Sequence, residues 1–307
     1  MAQKTLNVKL QVRRDTADNW ENKNPILSAG EVGYDTTNKF TKIGDGSTAW
    51  KHLSYFATRK PLSFADTDWA TIAKLAENGT ASEYFKVGDE KTIELKTGEQ
   101  VTVVILGFEH DDKTSGGKAG ISIGMKNLLA TIYAINSSST NVGGWDKSLM
   151  RTNTMATLLS QLPADLQAVI KAVNKKSTNG GGSSSAPVTA TTTSSDKLWL
   201  LALAEVYSKT SIEGSVTSAV KNNAAAYEAE GEQYAYYNNL IGDNNGGTST
   251  NAALIKYLSN GDGSAYSWWL RSPNVTNATN FHSIINLGYL SNHNASSAYG
   301  VAFGFCV

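Results

Sequence analysis

The stretch YSWWLRSP (residues 266–273) joins two kinds of sequence, and the fold of the C-terminal part depends on it. Charged residues make up 18% of the whole chain, yet no Asp, Glu, Lys or Arg follows Arg271. Asn, Ser, Thr, His and Tyr fill 16 of the 26 positions from 274 to 299. Such residues favour loops and local backbone hydrogen bonds. We therefore expect the preceding aromatic stretch to fix a backbone that displays the polar run.

Within this stretch, neighbouring tryptophans point to opposite faces of an extended strand. One of Trp268 and Trp269 then belongs to the core, while the other lies beneath a surface site. For Arg271 two roles stay open, an ion-pair partner or a hydrogen-bond donor to loop carbonyls, and a structural role is favoured.

Length and composition set the class of protein. A chain of 307 residues predicts two domains, with three as the alternative, and 40% hydrophobic residues predict a folded chain. Lys and Arg number 27, as do Asp and Glu, so no overall field attracts nucleic acid or an anionic membrane. One cysteine excludes an intrachain disulfide and suits folding in a reducing cytoplasm. The N-terminus lacks the apolar region of a signal peptide, and we expect no membrane insertion.

The first 56 residues predict short strands and turns. LNVKLQVRR alternates apolar Leu6, Val8, Leu10 and Val12 with polar residues, and glycines at 30, 33, 44 and 46 predict hairpins. A module this small has a marginal core, so we expect packing with copies of itself.

After a connector at 57–68, the pattern alternates between strands and helices. Asp66 is the predicted cap of a helix ending at Gly79, and Val101–Phe108 predicts a central strand. Helices are predicted at 125–136 and 148–176, with Pro163 starting a new one. The low-complexity stretch 177–195 is interpreted as a surface loop, with an interdomain linker as the alternative.

The first 56 residues also resemble a known family. RRDTADNW, LSAGEVGYDT and KIGDGSTAW are similar, in this order, to the N-terminal module of phage tail fibres and receptor-binding proteins, including the major tropism determinant family. The resemblance implies a trimeric, β-prism-like module that attaches the protein to the virion through other tail proteins.

The rest of the chain resembles the C-type-lectin-like domain found before variable C-termini in phage and bacterial proteins. The similar stretches are YFKVGDEKTIELKTGE, ILGFEHDD, GGWDKSLMR, LPADLQAVIKAV, DKLWLLALAEV, EGEQYAYY and WWLRSP. The implied fold class is α+β, with an all-β module (1–56), a connector (57–68) and a C-type-lectin-like domain (69–307). The family closes on GVRPxF where this chain has GVAFGF, so the anchoring of the last strand is in question.

Enzymatic chemistry is hard to find in the sequence. His110, Asp111 and Asp112 have no spaced partner for a metal, and Glu228, Glu230 and Glu232 resemble a solvated face or a local turn. Cys306 has the setting of a buried small hydrophobe. The calcium-binding triplets of sugar-binding C-type lectins do not occur. We therefore predict no catalytic residue, no metal, no cofactor and no enzyme.

The polar run, about residues 274–303, resembles the variable region of proteins diversified by retroelements, in which adenines of Asn codons are randomised. Trp, Met, Lys, Glu and Gln cannot arise in this way, and residues 272–307 contain none of them. The predicted ligand-binding positions are Asn274, Thr276, Asn277, Thr279, Asn280, His282, Ser283, Ile285, Asn286, Leu287, Tyr289, Ser291, Asn292, His293, Asn294, Ser297 and Tyr299. The predicted supporting scaffold is Trp268, Trp269, Arg271, Phe281, Gly300 and Phe305. Ile285 and Leu287 equally suit ordinary packing.

Together these features predict a homotrimeric receptor-binding protein at the phage tail tip, made in the host bacterial cytoplasm. Its diversified C-terminal surface would bind a host-cell surface protein or glycan. The alternatives are a tail-associated glycan hydrolase and a prophage or bacterial surface adhesin.

Overall fold

The computed structural model describes residues 11–56, 62–214, 217–243, 249–261 and 263–307. Contacts divide the chain into two compact units, Met1–Leu62 and Ser63–Val307. The predicted strand residues Leu6, Val8 and Leu10, and the start of the predicted connector, lie outside the described residues.

The first unit is a three-stranded sheet with one helix. Its elements are β1 (Arg13–Asp15), α1 (Ala17–Lys23), β2 (Val32–Asp35), β3 (Phe40–Ile43) and a 3₁₀ turn at Trp50–His52. Strand β2 lies in the middle, parallel to β1 and antiparallel to β3. The prediction of an all-β module is therefore wrong. Thr16 caps α1 by accepting a hydrogen bond from the amide of Asn19, and this capping pattern was missed in the sequence.

A pair of tryptophans forms the core of the first unit. The rings of Trp20 and Trp50 stack with centroids 4.0 Å apart, and Leu27 packs against them. A side chain at Gly33 would place its Cβ 2.6 Å from the Trp50 ring. Gly33, the second glycine of GEVGYDT, is therefore required for close packing rather than for a turn.

The second unit mixes short helices with strands. Its helices are α2 (Trp69–Glu77), α3 (Gly144–Lys147), α4 (Met155–Gln161), α5 (Ala164–Val169), α6 (Leu203–Val206), α7 (Lys209–Gly214), α8 (Ser218–Lys221), α9 (Ala224–Glu228) and α10 (Ala235–Ile241), with a π-helical turn at Met150–Thr154 and 3₁₀ turns at Ala81–Glu83 and Ala252–Leu254. Its strands are β4 (Glu90–Glu94), β5 (Gln100–Phe108), β6 (Ile121–Met125), β7 (Tyr133–Ala134), β8 (Val173–Thr178), β9 (Thr191–Asp196), β10 (Trp199–Leu200), β11 (Lys256–Tyr257), β12 (Ala265–Tyr266), β13 (Trp268–Pro273), β14 (Asn280–Ile284), β15 (Leu290–Asn294), β16 (Ala298–Tyr299) and β17 (Phe303–Cys306).

A five-stranded sheet in the order β10-β17-β6-β5-β4 carries much of the core of this unit. Strand β5 is flanked on both sides, as predicted for Val101–Phe108. Strand β17 is also flanked on both sides, so the unusual GVAFGF ending is held by strand pairing. Gly304 lies against the Trp199 ring, where an added Cβ would approach to 3.0 Å.

Several local predictions need correction. No helix forms in residues 125–136, because Met125 ends the buried strand β6 and Tyr133–Ala134 pair with β16. The cap of α2 is Asp68 instead of Asp66, since its carboxylate accepts from the amide of Thr71. The helix after Pro163 ends at Val169, before strand β8.

The low-complexity stretch 177–195 is a hairpin within the second unit and not a linker between domains. Its first two residues belong to β8, and its last five belong to β9, which pairs antiparallel with β8. In the described part of the chain, no helix has the length and apolar character needed to cross a membrane. The β-prism-like and C-type-lectin-like arrangements stay predictions.

Candidate functional site

The polar run is built on a three-stranded antiparallel sheet in the order β13-β14-β15. Strand β13 is the fully buried WWLRSP stretch, and β14 lies between it and the outer strand β15. Strand β13 is tied to the rest of the unit by backbone bonds, from Trp269 to the carbonyl of Gly300 and from Arg271 to that of Leu201. The polar run is therefore supported by a strand that is buried inside the fold.

Arg271 holds this inner strand in place. Its guanidinium is completely buried and bonds both carboxylate oxygens of Glu205, while it also donates to the carbonyls of Lys176, Leu200 and Glu230. Both roles considered for Arg271, ion pair and donor to carbonyls, are therefore present. A fork of fixed donors suits this task, and a buried charge needs such complete pairing.

The charged network extends from Glu205 to a second cation. Lys175 donates to Glu205 at 2.9 Å, to Asp111, and to the hydroxyl of Tyr234 at 2.9 Å. Burial opposes ionisation of Glu205, but Arg271 and Lys175 outweigh it and hold the pKa of Glu205 below its usual value. The pKa of Asp111 is lowered for the same reason, with Lys175 as the main partner.

Glu230 differs from the other carboxyls of the network. Its carboxylate oxygens accept from the amide and hydroxyl of Thr178 and from the hydroxyl of Ser272, and among the described residues no Lys or Arg side chain donates to this carboxylate. Burial raises its pKa to about 7 against these hydrogen bonds. In the folded state, Glu230 is therefore protonated at mildly acidic pH.

A buried amide shapes the loop between β13 and β14. Asn141 is fully buried, and its side-chain nitrogen donates to the carbonyls of Asn274, Asn277 and Asn280 at 3.1, 2.6 and 2.7 Å. Its carbonyl oxygen accepts from the amide of Gly181 at 2.7 Å. One residue far away in sequence therefore sets the path of this loop.

Three of the seventeen predicted ligand-binding residues are interior, so the expectation that they face solvent is wrong. These are Asn274, His282 and Ser283. His282 accepts from the hydroxyl of Tyr227 at 2.9 Å and contacts the carbonyl of Ser291, and burial lowers its pKa to about 4. Successive side chains of a strand point to opposite faces of the sheet, and both faces of β14 are packed against other residues. Polar composition therefore did not predict exposure here.

The other fourteen predicted positions reach the surface to different degrees. Asn286, Leu287 and Asn292 are exposed, so packing does not account for Leu287. Eleven are partly exposed: Thr276, Asn277, Thr279, Asn280, Ile285, Tyr289, Ser291, His293, Asn294, Ser297 and Tyr299. The six predicted scaffold residues are all buried. Whether the fourteen bind a ligand stays a prediction.

An aromatic group forms at one side of this sheet, and we call it the tyrosine surface: Tyr133, Tyr266, His293 and Tyr299, all partly exposed. Tyr299 stands opposite Tyr133 in the β16–β7 pair, 4.2 Å from the His293 ring and 6.4 Å from the Tyr266 ring.

Trp269 lies beneath the tyrosine surface, as expected for one tryptophan of the pair. Its ring meets Tyr299 edge-on at 5.1 Å and His293 at 6.3 Å, and its indole nitrogen donates to the carbonyl of Tyr133. Sequence reasoning missed Tyr133 and Tyr266 because both precede the polar run. Their shared position in charge-poor segments was the available clue.

A second feature is an acidic cavity of about 380 Å³, which we define by the residue runs 110–112 and 228–232 that line it. Each run looks inconspicuous in the sequence, and the fold brings them together. Lys118 and Lys175 share the wall of the cavity. The description of the three glutamates as a mere solvated turn is therefore incomplete, since Glu230 is buried. Among the described residues, no group of His, Cys, Asp or Glu could hold a metal ion.

Comparison with known proteins first defines the class. A model of the major tropism determinant N-terminal domain matches residues 10–48, and similar proteins include a streptococcal phage hyaluronoglucosaminidase and a phage-encoded tail fibre. This is a phage tail-fibre-like protein. The chain belongs to the family described as a domain of unknown function (DUF6273), whose model matches residues 123–307.

Three relatives illustrate the similarity. A hyaluronoglucosaminidase of Streptococcus pyogenes phage H4489A is 36% identical over 53 residues, which are 17% of this chain and 14% of that enzyme. A hyaluronidase trimer solved with ascorbic acid is 28% identical over 23% of this chain and 24% of its own, with a TM-score of 0.16. A tail fibre with hyaluronan lyase activity, encoded by a group A streptococcal phage, is 26% identical over 22% of this chain and 24% of its own, with a TM-score of 0.17.

These relatives correct one prediction and leave another without support. The chain spans less than a quarter of the length of each, and the two TM-scores are too low to bear on its fold. The prediction that the protein is not an enzyme is wrong, because proteins similar to it are a hyaluronoglucosaminidase and a tail fibre with hyaluronan lyase activity. None of them is described as a retroelement-diversified protein.

Proposed function

We propose that this phage tail-fibre-like protein binds the host-cell surface through the face formed by β14, β15 and the adjoining turns. The main support for this proposal is the difference between the buried side of the polar run and the side that reaches the surface. Its inner side is held by the Arg271 network and by Asn141, while fourteen Asn, Thr, Ser, His, Tyr and aliphatic side chains reach the surface. A recognition surface of this composition suits binding, because Tyr and Asn supply contact area and adaptable hydrogen bonds.

The first unit would attach the protein to the virion tail tip, and three copies would assemble, as in the hyaluronidase trimer. Three weak sites acting together hold a particle far better than one. Diversification of the exposed positions by a retroelement, and the C-type-lectin-like arrangement, stay finer predictions within this proposal. The absence of Trp, Met, Lys, Glu and Gln from residues 272–307 supports the former.

Adsorption to cells tests the binding face. We expect the fluorescently labelled full chain to adsorb to cells of the phage host, and the Asn292→Trp variant to adsorb at least tenfold less. Asn292 is exposed on the outer strand β15, so an indole there blocks the face without entering the core. Asn153→Trp, in the exposed part of the Met150–Thr154 turn, is the matched control and should adsorb normally. Equal adsorption of all three proteins would refute the proposal.

A second candidate is cleavage of a surface glycan at the acidic cavity. Glycoside hydrolysis needs a carboxylic acid that is protonated beside one that is ionised. The cavity offers Glu230, whose pKa is raised to about 7, with Asp111, whose pKa is lowered. Both are engaged in the buried network, so a substrate would reach the exposed Glu232 and Asp112 first.

Incubation with polysaccharides tests this second candidate. If the cavity is catalytic, the purified chain should release new reducing ends, or unsaturated products, from hyaluronan or from a host-wall polysaccharide. Glu232→Gln should then lower the rate at least tenfold, whereas Glu213→Gln, at an exposed helical position, should leave it unchanged. Intact polysaccharides after prolonged incubation would eliminate this candidate.

A further inference from the structure

The segments that meet at the tyrosine surface share one property, which is a complete lack of charged side chains. Tyr133 lies in residues 127–145, Tyr266 in 263–270, and His293 and Tyr299 in 272–307. None of these three segments contains Asp, Glu, Lys or Arg. The whole chain is 18% charged, yet three segments without any charged residue meet at this surface.

The cations next to or near these segments that the structure describes have partners within the fold. Arg271 is buried against Glu205, and Lys126 forms an ion pair with Glu90 at 2.6 Å. Lys256 is buried, where its ammonium donates to the carbonyls of Met125 and Lys126. Arg271, Lys126 and Lys256 are therefore all paired within the fold.

The rings provide a rigid contact area. Tyr299 packs against His293, Tyr266 and the buried Trp269, and the β16–β7 pair fixes Tyr133 opposite it. A tyrosine ring combines a flat apolar face with a hydroxyl that donates and accepts hydrogen bonds. A sugar ring offers the complementary features, namely a face of C–H bonds and a rim of hydroxyls.

We infer that the tyrosine surface binds an uncharged glycan, with Tyr133, Tyr266 and Tyr299 as the stacking residues. This inference rests on the proposed host-binding function and adds the chemical class of the ligand. None of the four residues that define the tyrosine surface is a Lys or Arg that could pair with a polyanion such as hyaluronan. Its carboxylates would lose water without compensation there. Hyaluronan, if it is a substrate of this protein, must be held elsewhere.

Binding of the full chain to a printed array of neutral and acidic bacterial glycans tests this inference. We expect binding to neutral glycans, with an affinity that changes less than twofold between about 50 and 500 mM NaCl, because screening acts only on charges. Tyr299→Ala and Tyr266→Ala should each weaken binding at least tenfold. Tyr299→Phe keeps the ring and should lose less.

Tyr257→Ala is the matched control. Tyr257 is exposed on the neighbouring strand β11 and stands opposite Ala265, so it points away from the face of Tyr266. Binding to acidic glycans alone, a strong salt dependence, or no binding to any glycan would overturn the inference. If host-cell adsorption is lost in Asn292→Trp but kept in folded Tyr299→Ala and Tyr266→Ala, the proposed function stands and the inference fails.

Discussion

Replacing Arg271 by Met should destabilise the protein by about 3–5 kcal/mol, the range for breaking one partner of a buried ion pair. The substitution leaves the Glu205 carboxylate in the interior with only Lys175 as a cation, and it leaves three backbone carbonyls without their donor. The inner strand β13 would lose its anchor, and the display surface with it. Urea denaturation followed by far-ultraviolet circular dichroism measures the change in unfolding free energy.

An exposed ion pair provides the control for this prediction. Lys126→Met removes the ion pair between Lys126 and Glu90, whose side chains are 43% and 46% exposed. This substitution should lower the free energy of unfolding by less than about 1 kcal/mol. Comparable losses for the two variants would show that the buried network does not hold the second unit together.

As the pH rises from about 5 to 8, the contribution of Glu230 to the stability should fall by an amount on the order of 2–3 kcal/mol. In the unfolded chain Glu230 titrates near its ordinary pKa of 4.5, while burial raises its pKa to about 7 in the fold. Within this window the folded state holds a proton that the unfolded state has lost. Proton linkage then lowers the free energy of unfolding as the pH rises.

Comparison with Glu230→Gln isolates this contribution. The amide is close in shape to the protonated acid, so the two proteins should be similarly stable at pH 5, and the variant should be the more stable at pH 8. His282 acts in the opposite direction, because its lowered pKa of about 4 adds stability as the pH rises toward 6.5, and this cancels between the two proteins. An equal stability difference at pH 5 and pH 8 would contradict the assignment.

The regular parts of the fold followed from local patterns. Val101–Phe108 is an apolar run and became a flanked strand, and the two tryptophans with Arg271 became the buried strand that supports the polar run. The error at 125–136 has a clear origin. Leu128, Leu129 and Ile135 are buried at a helix-like spacing, yet they are held by backbone bonds to distant segments. Periodicity in one segment carries no information about such partners.

By itself the sequence determined the phage-tail character of the first unit, through RRDTADNW, GEVGYDT and KIGDGSTAW, and it separated the charged body from the uncharged tail. Only the tertiary structure decided which polar residues are interior. Asn141 reaches three carbonyls more than 130 positions away, and Tyr227 meets His282 55 positions away. Tyr133 and Tyr266 joined the tyrosine surface in the same way. Hydrogen bonds and ring contacts depend on distance in space, and a linear pattern of residue types does not contain that distance.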